Sequence, residues 1–485
     1  MSRDARPPED DAGPARIALT DGGAYRLGPA GLERVDHDGE TGRTYAYEAI
    51  GHVFASPRVL LIGTEDDLLT LRASDLVSGD PEAERDRLLD AVRAHPEGDA
   101  VLAAIDEVER LGEREGPAWV IWATVGLCLV GAGYQFADRL FDQVGIFVPE
   151  LVLRGEHWRA ITMHFLHDVT PMPGFLRPLL PMFQGLPIHM ALNVAGMLVL
   201  GHLVERPLGP WRTAIVLAFA GLGTVIGIFV FDHGRVLGAS GLVSGLAGSM
   251  LALELHFARE MPAYWRLPRR LFIGLLLFQF AVIDQLLAAF VAGGAHLGGF
   301  AGGYVATWLI GRPGIEELVP TRSIRIGAVS AAALAVLGFT GAMPLATHDI
   351  AALERHAQRV EGLPLDYFRP GYDNAAAWLI AVSGEATPDG LERAVALAAR
   401  AVNDTGGLNP GVLDTLAEAR FQRGAPGDLE AALFTIDAAI SLVPDEPYFR
   451  EQRRRFTGER ARDDRPPEPG TPVPKRFEPT EEAPP

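Results

Sequence analysis

The sequence predicts an α-helical polytopic membrane protein with a small α+β domain before its spans and a helical-repeat domain after them. Three observations lead to this prediction. Mean hydropathy is +0.13 although 22% of the 485 residues are charged, so apolar and charged residues must be segregated along the chain. Seven apolar segments follow residue 117, each close to the roughly 20 residues that cross a bilayer. Apolar residues at helical spacing return beyond the last segment.

Composition narrows the class of protein and its compartment. The formal net charge of −19 argues against nucleic-acid binding, which needs basic patches. The single cysteine, Cys128, excludes an intramolecular disulfide framework and any cysteine-based metal site. Lys475 is the only lysine, and Ala, Gly and Pro are abundant, which favours a bacterial genome and hence the bacterial cytoplasmic membrane. Residues 1–14 lack the apolar core of a secretory signal, so the first span is expected to direct insertion.

Residues 1–117 are predicted to form an acidic cytoplasmic α+β domain. Residues 15–76 are predicted to form short strands, for example Ala15–Thr20, Arg43–Ala55 and Val59–Leu71, separated by Asp-Gly turns. Apolar residues at helical spacing follow over 82–112. This order of strands followed by a helical segment weakly resembles a pleckstrin-homology-like barrel with a closing helix. No residue in this domain points to catalysis, and its ligand stays open.

A core of six spans over 118–312 and a linker with a seventh span over 313–345 are predicted from hydropathy. Arginines are concentrated in the short loops 206–212 and 258–270, which should therefore be cytoplasmic. This orientation places the N-terminus inside and the C-terminus outside the cell. The candidate spans lie near 118–136, 187–205, 212–231, 237–257, 270–290, 294–311 and 323–343.

Residues 346–460 are predicted to form extracytoplasmic helices that resemble tetratricopeptide repeats. The helical pattern includes Leu413, Leu416, Ala417 and Phe421, and then Ala432, Ile436 and Ala439. One such repeat cannot bury its own core, so two or three units should stack and could bind a protein partner. A generic helical hairpin bundle is the alternative. Residues 461–485 are rich in Pro, Glu and Arg and are predicted to be disordered.

The first chemical motif is Gly238-Ala239-Ser240-Gly241 at the start of the fourth predicted span. The flanking glycines leave the hydroxyl of Ser240 unshielded and allow close helix contact. A serine at a helix N-terminus also faces unpaired N–H groups and the positive end of the helix dipole, which suit a developing oxyanion. By itself, the motif is explained equally well as a run of small residues that allows helices to pack closely, and Ser244 and Gly245 continue that run.

Two further motifs place polar side chains in other spans. His296 precedes Gly299 and Gly303, whose spacing permits close contact with the serine helix; a neutral histidine there can act as general base. His189 and Asn193 lie four residues apart, on one helix face, where two donors could bind an oxyanion. Each motif alone is also explained by hydrogen bonds that join helices.

Together, these motifs resemble the rhomboid family across 118–312. The matching elements are Gly-x-Ser-Gly at 238–241, His-x-x-x-Asn at 189–193, and Ala-His-x-x-Gly-x-x-x-Gly at 295–303. Trp158-Arg159, followed by Thr162 and His167, matches the family's first outer loop. Gly201 and Glu205 fit the end of the second span.

The resemblance implies a serine endopeptidase with a Ser240–His296 dyad and no third acidic member. Ser240 would be the nucleophile and His296 the general base, as in other serine enzymes. His189, Asn193 and the Ser240 backbone N–H would bind the oxyanion. Trp158, Arg159, Gly238, Gly241, Gly299, Gly303 and Glu205 would be structural. The implied substrates are single-span membrane proteins within the lipid bilayer, and neither cofactor, metal nor nucleic acid is required.

The chain departs from the family pattern at three positions. Ser244 stands where many members have an aromatic residue against the catalytic histidine, and Val291 stands where a glycine is usual. Asp284 is an additional acid near the outer end of the fifth span. It is interpreted here as a helix cap at the interface, with contact to the active site or a gate as the alternative.

Two other functions stay open. A catalytically inactive rhomboid-like adaptor would bind transmembrane helices without cutting them, although retention of Ser240, His296, His189 and Asn193 argues against it. A channel or transporter would be expected to carry inverted repeats or broken helices around a midplane site, and the sequence has no such repeat. The histidines also lack the His-Glu-x-x-His spacing of a membrane metalloprotease.

Overall fold

A computed structural model of the chain describes residues 15–113, 116–137, 141–169, 187–287, 291–311, 320–363 and 370–466. It divides into two compact units, each of two segments: Met1–Ala132 with His167–Ala335, and Gly133–Leu166 with Val336–Pro485. From residue 467 onward, the predicted disordered tail lies outside the described residues, as do residues 170–186 of the first outer loop.

The N-terminal part of the first unit contains two antiparallel sheets, with strand orders β1-β2-β3-β4 and β5-β6-β7. The strands are β1 (Arg16–Ala18), β2 (Ala24–Gly28), β3 (Gly31–Val35), β4 (Thr41–Tyr45), β5 (Ile50–Ser56), β6 (Val59–Thr64) and β7 (Leu68–Arg72). The predicted sheet domain is therefore present. Two of the predicted runs are each two strands, because turns interrupt them, and β2 and β3 lie within the same predicted β region of residues 15–76.

Two helices close this sheet domain, α1 (Pro81–Arg93) and α2 (Gly98–Gly112). The Asp80 side chain caps α1 by accepting the N–H groups of Glu82 and Ala83, as Asp favours at a helix N-terminus. Leu88 and Val92 of α1 are fully buried in one cluster with strand residues such as Ile50. The apolar stripe predicted over 82–112 thus packs against the sheets.

The segments predicted to span the membrane lie in the part of the chain from α3 to α12, except for residues 288–290, which lie outside the described residues. The helices of this part are α3 (Trp119–Ala137), α4 (Phe141–Gly145), α5 (Pro149–Leu153), α6 (Arg159–Thr162), α7 (Ile188–Val230), α8 (Ser240–His256), α9 (Arg269–Phe278), α10 (Asp284–Leu286), α11 (Gly293–Ile310) and α12 (Arg322–Ala346). One π-helical turn, Gln279–Ile283, joins α9 to α10.

By length and composition alone, α3, α7 and α12 are the described helices that are long and apolar enough to cross a membrane. The 43 residues of α7 rise about 65 Å at 1.5 Å each, roughly twice the thickness of the hydrocarbon layer. Gly209, at φ 74°, breaks this helix between Pro207 and Pro210. The break lies inside the loop predicted at 206–212, and the count of six spans plus one stays a prediction.

Within the first unit, the sheet domain is joined to the loop that follows α8. The buried guanidinium of Arg266 donates to both carboxylate oxygens of Glu254, at 2.6 and 3.1 Å, and to the carbonyl of Thr64 at 2.7 Å. His52 accepts the N–H of Ala263 at 3.1 Å. These buried polar contacts fix the sheet domain against the part of the chain predicted to be cytoplasmic.

The C-terminal part of the second unit consists of packed helices. They are α13 (Ile350–Val360), α14 (Pro370–Val382), α15 (Pro388–Asp404), α16 (Pro410–Arg423), α17 (Asp428–Leu442) and α18 (Pro447–Phe456). Leu413, Ala417, Ala432, Ile436 and Ala439 share one buried cluster, so the predicted helical pattern is confirmed. Their assignment to tetratricopeptide repeats rather than to a generic helical bundle stays a prediction.

Candidate active site

Ser240 is the first residue of α8. The N–H groups of the first helical turn have no partner within the helix, so the Ser240 N–H is available where charge would develop on a bound carbonyl. The preceding Gly238 has φ +128°, a backbone conformation that suits glycine. The turn therefore presents the half-buried hydroxyl of Ser240 at the positive end of the α8 dipole.

His189, the second residue of α7, lies over Gly238. A Cβ atom at Gly238 would be 2.8 Å from Cε1 and 3.0 Å from Nε2 of His189, and 3.8 Å from Oγ of Ser240. The imidazole and the hydroxyl thus face the same small space. Only the absence of a side chain at Gly238 leaves that space open.

Hydrogen bonds orient both predicted oxyanion donors. Nδ1 of His189 accepts the N–H of Asp168 at 3.2 Å, so the neutral ring carries its proton on Nε2, the atom over Gly238. Nδ2 of Asn193 donates to the carbonyl of His189 at 2.9 Å. This bond uses one of the two hydrogens on that amide nitrogen. His189 is therefore the better placed donor of the two.

His296 is brought beside the serine helix by glycines. A Cβ atom at Gly299 would overlap the carbonyl oxygen of Gly241, and one at Gly303 would overlap that of Gly245. Small residues of this kind allow membrane helices to meet backbone to backbone. The N-terminal turns of α8 and α11 therefore lie side by side, with Ser240 in one and His296 in the other.

Among the residues that the structure describes, no hydrogen bond joins Ser240 Oγ to His296. Catalytic hydrogen bonds are often long in the absence of substrate. His296 itself is buried, with 9% of its surface exposed, so its ring is shielded from bulk water.

Asp284 contacts His296, contrary to the preferred interpretation of this residue as a helix cap. Oδ2 of Asp284 lies 3.0 Å from Nδ1 of His296, and Oδ1 accepts a hydrogen bond from Gln279 Nε2 at 2.7 Å. The carboxyl group is buried. The expected dyad thus has an acidic residue in contact with its histidine, and neither Asp284 nor Gln279 was assigned to the site from sequence.

Two more histidines contact the site, and neither was given a role from sequence. Nε2 of His167 accepts the N–H of Ala239 at 3.3 Å, and its ring centroid lies 5.5 Å from that of His189. Nε2 of His233 accepts the N–H of Gly294 at 3.0 Å, which caps the N-terminus of α11. Their position beside apolar segments was the available signal, since histidines there are uncommon and need partners.

The described residues contain no group of three or more His, Cys, Asp or Glu side chains that could hold a metal ion. The arrangement offers instead a hydroxyl and N–H donors around one space and, on the adjoining helix, an imidazole whose Nδ1 faces a carboxylate. Such a set can carry out nucleophilic attack, proton transfer and oxyanion binding.

Comparison with known proteins gives a match to the same part of the chain. Residues 180–313 match the model of the rhomboid domain family. The chain is 27% identical over 169 residues to the rhomboid protease GluP of Bacillus subtilis, covering 34% of this chain and 28% of that protein. It is 25% identical over 170 residues to RHOMBOID-like protein 4 of Arabidopsis thaliana, covering 34% and 37%.

The chain contains a rhomboid domain. It spans less than two fifths of the length of these curated relatives, as the covered shares of 28% and 37% show, so the family rests on the rhomboid domain alone. No solved structure matches the chain.

Glu205 of the rhomboid domain, on α7, holds the beginning of α3. Its carboxylate accepts the N–H groups of Val120 and Ile121 at 3.0 and 2.9 Å. A carboxylate at a helix N-terminus satisfies unpaired donors and complements the dipole. The predicted supporting position of Glu205 therefore has a specific partner, the N-terminus of the first span.

Trp158 and Arg159 make hydrogen bonds within the loop that contains them, in the second unit. Nε1 of Trp158 donates to the carbonyl of Val144 at 3.1 Å. The fully buried guanidinium of Arg159 donates to the carbonyls of Gln143 and Ile146, at 2.6 and 2.8 Å, and to Glu156. Two consecutive residues thus tie the loop to itself.

Glu156 also contacts the C-terminal helices of the second unit. Its second carboxylate oxygen lies 2.7 Å from Nδ1 of His356 on α13. Burial by itself raises the pKa of Glu156, but the charges of Arg159 and His356 together outweigh it and lower the pKa to about 2. Glu156 therefore stays ionised at neutral pH and joins the outer loop to α13.

Proposed function

We propose that this rhomboid protein is an intramembrane serine endopeptidase that cleaves single-span membrane proteins near the outer membrane boundary. The observation that carries the proposal is the backbone contact between α8 and α11 at Gly241 and Gly299. It brings the helix that begins at Ser240 against the helix that carries His296. A packing role alone would not require a hydroxyl and an imidazole in these two adjoining turns.

In the acylation step, Oγ of Ser240 attacks the carbonyl carbon of the scissile peptide bond. Nε2 of His296 takes the hydroxyl proton as the O–C bond forms, and the carbonyl oxygen becomes an oxyanion. The Nε2–H of His189, the second N–H of the Asn193 amide and the Ser240 backbone N–H are the donors that stabilise this charge. The C–N bond then breaks, and His296 returns the proton to the leaving amine.

In the deacylation step, water replaces the amine. His296 takes a proton from the water molecule, whose oxygen attacks the acyl carbon, and the same donors hold the second oxyanion. Collapse of this intermediate breaks the Oγ–C bond, and the proton returns from His296 to Ser240. The products are two peptide fragments, and the enzyme is restored.

The runner-up is an inactive rhomboid-like adaptor that binds transmembrane helices. Two observations favour it: the described hydrogen bonds do not include one from Ser240 to His296, and Ser244 occupies the usual aromatic position. The endopeptidase is preferred because an adaptor has no use for a histidine over Gly238 and a second one beside the serine helix. One of the relatives, from Bacillus subtilis, carries the name of a rhomboid protease.

Covalent labelling separates the two functions. The full chain, purified in detergent, is treated with a fluorophosphonate probe and compared with Ser240→Ala and His296→Ala. Ser330→Ala removes an exposed serine of α12 and serves as the matched control. An endopeptidase labels in the wild type and in Ser330→Ala but in neither active-site variant. An adaptor does not label in any of the four, and wild-type labelling that survives Ser240→Ala contradicts the assignment of the nucleophile.

The remaining parts of the chain are proposed to select substrates. The helices of residues 346–460 would offer a surface for a protein partner outside the cytoplasmic membrane, because stacked helical repeats commonly bind peptides. The N-terminal sheet domain would lie in the cytoplasm, as the arginine-rich loops predict. Protease accessibility of tags placed at each terminus, in intact bacterial cells, tests this orientation.

A further inference from the structure

A buried carboxyl group in an apolar helix requires a reason, and Asp284 is such a group. Only 2% of its surface is exposed, and acidic side chains within membrane spans are energetically costly unless they are paired. Both of its oxygens have partners, since Oδ1 faces Gln279 Nε2 at 2.7 Å and Oδ2 faces His296 Nδ1 at 3.0 Å. The carboxyl group is thus held on one side and directed to the histidine on the other.

The backbone between Gln279 and Asp284 has the shape that this contact needs. Residues Gln279–Ile283 form a π-helical turn, in which hydrogen bonds join residues five apart. In a regular α-helix, at 3.6 residues per turn, residues five apart lie on different faces. The wider turn brings the Gln279 amide over Asp284. The hydrogen bond between these two side chains therefore depends on the π-helical backbone. π-turns of this kind are frequent at functional sites.

A second contact fixes the distance between the two helices. The rings of Phe280 and Phe300 meet edge to face with centroids 5.3 Å apart. Phe280 lies four residues before Asp284, and Phe300 four residues after His296, so the aromatic contact is one turn away from the polar contact on both helices. The polar contact between Asp284 and His296 and the aromatic contact between Phe280 and Phe300 therefore lie one turn apart. Together they hold the two antiparallel helices against each other.

We infer that Asp284 is a positioning residue for His296, the third member of a Ser240–His296–Asp284 constellation. This inference rests on the proposed function. A carboxylate at Nδ1 fixes the proton there and leaves the lone pair on Nε2, as the general base requires. It also stabilises the imidazolium that forms when His296 takes the proton of Ser240.

Other titratable groups lie near His296 and are part of its electrostatic environment. His189 of α7 and His233 of the loop before α8 both interact with it through their charges. Asp168 faces His189, and Asp232 faces His233. Asp232 is exposed and has no hydrogen bond to His296 in the described structure, so it provides a matched acidic control.

The test compares cleavage of a single-span substrate by the wild type, Asp284→Asn, Asp284→Glu and Asp232→Asn over a range of pH. For Asp284→Asn we expect kcat to fall at least about tenfold with KM nearly unchanged, because the amide neither fixes the tautomer nor stabilises the imidazolium. Asp284→Glu should restore part of kcat, and Asp232→Asn should match the wild type.

A kcat equal to that of the wild type in folded Asp284→Asn would overturn the inference, as would an equal loss of kcat in Asp232→Asn. A readout on the wild type does not depend on how the variants fold. A histidine Nδ1 proton bound to a carboxylate should give a far-downfield proton NMR resonance that His296→Ala lacks, and its absence from the wild type also overturns the inference. If the wild type neither cleaves the substrate nor reacts with the fluorophosphonate probe, the proposed function fails. If the wild type is active and Asp284→Asn is equally active, only the inference about Asp284 fails.

Discussion

The carbonyl oxygen of Gly241 occupies the position that a side chain on Gly299 would need. Gly241 follows the candidate nucleophile directly, and Gly299 lies three residues after the candidate base, so this contact sets the distance between the two reacting side chains. The same relation recurs one turn further along, between Gly245 and Gly303. Two matched pairs of small residues therefore define the helix contact on which the proposed chemistry depends.

Gly299→Ala should separate α8 from α11. The added methyl group would overlap the Gly241 carbonyl, and overpacking of this kind costs about 1–3 kcal/mol. We expect fluorophosphonate labelling to fall at least about tenfold, the factor that about 1.4 kcal/mol represents, and the thermal midpoint in detergent to drop. Gly274→Ala on α9 is the control, because nothing lies within 4 Å of a Cβ atom there. Full labelling in Gly299→Ala would contradict the close helix contact.

Gly238→Ala should displace His189 while making only an ordinary van der Waals contact, at 3.8 Å, with Oγ of Ser240. The new Cβ atom would lie 2.8 Å from Cε1 of His189, and alanine at φ +128° is strained, by about 1–3 kcal/mol. We expect kcat for cleavage to fall by about 10- to 1000-fold, the range seen when oxyanion stabilisation is weakened. Gly234→Ala, in the same loop and with open space around its Cβ position, should retain activity. Similar losses in both variants would assign the effect to the loop rather than to His189.

Ser240→Ala and His296→Ala should act as a unit. Each variant alone is expected to lower kcat by at least about a hundredfold, since proton transfer and nucleophilic attack are parts of one step. The double variant should then lose little more, as side chains that act together are not additive. Measurement of kcat for the two single variants and the double variant completes the cycle. Independent, multiplying losses would speak against a shared step.

Asp414 should make the C-terminal helices sensitive to pH. Burial raises the pKa of Asp414 from 3.8 to about 7, while hydrogen bonds from Tyr448 and Gln452 act in the opposite direction. Folded Asp414 therefore keeps a proton that the unfolded chain has released. Its contribution to stability is complete below pH 3.8 and is lost as the pH rises through about 7.

Hydrogen–deuterium exchange measures this effect in α16. Between about pH 5 and about pH 8, the local free energy of unfolding should fall by roughly 2 kcal/mol more in the wild type than in Asp414→Asn. Asp437→Asn, which replaces a half-exposed carboxylate of α17, is the control and should follow the wild type. If Asp414→Asn also follows the wild type, Asp414 does not hold its proton in the folded state.

The N-terminal domain shows how far the sequence determines strands. Alternating and β-branched residues predicted strands around Ile50 and Ile62, and the structure has β5 and β6 there. The predicted continuity over Arg43–Ala55 was wrong, because a short 3₁₀ turn at Tyr47–Ala49 divides it. The bounds of β2 and β3 were not given in advance, since their few apolar residues lie between arginines and glycines, where local propensity is weak and tertiary burial decides.

For the candidate site as well, some features could be predicted from the sequence and others only from the tertiary structure. Residue types and spacings by themselves predicted the candidate serine, the two histidine motifs and their glycines, because a nucleophile, a base and a close helix contact each require a particular kind of residue. The tertiary structure alone decided the partners: Asp284 for His296 Nδ1, Asp168 for His189 and the α3 N-terminus for Glu205. Each of these depends on the direction of a side chain across a helix contact, and for Asp284 on a π-turn, which helical periodicity does not encode.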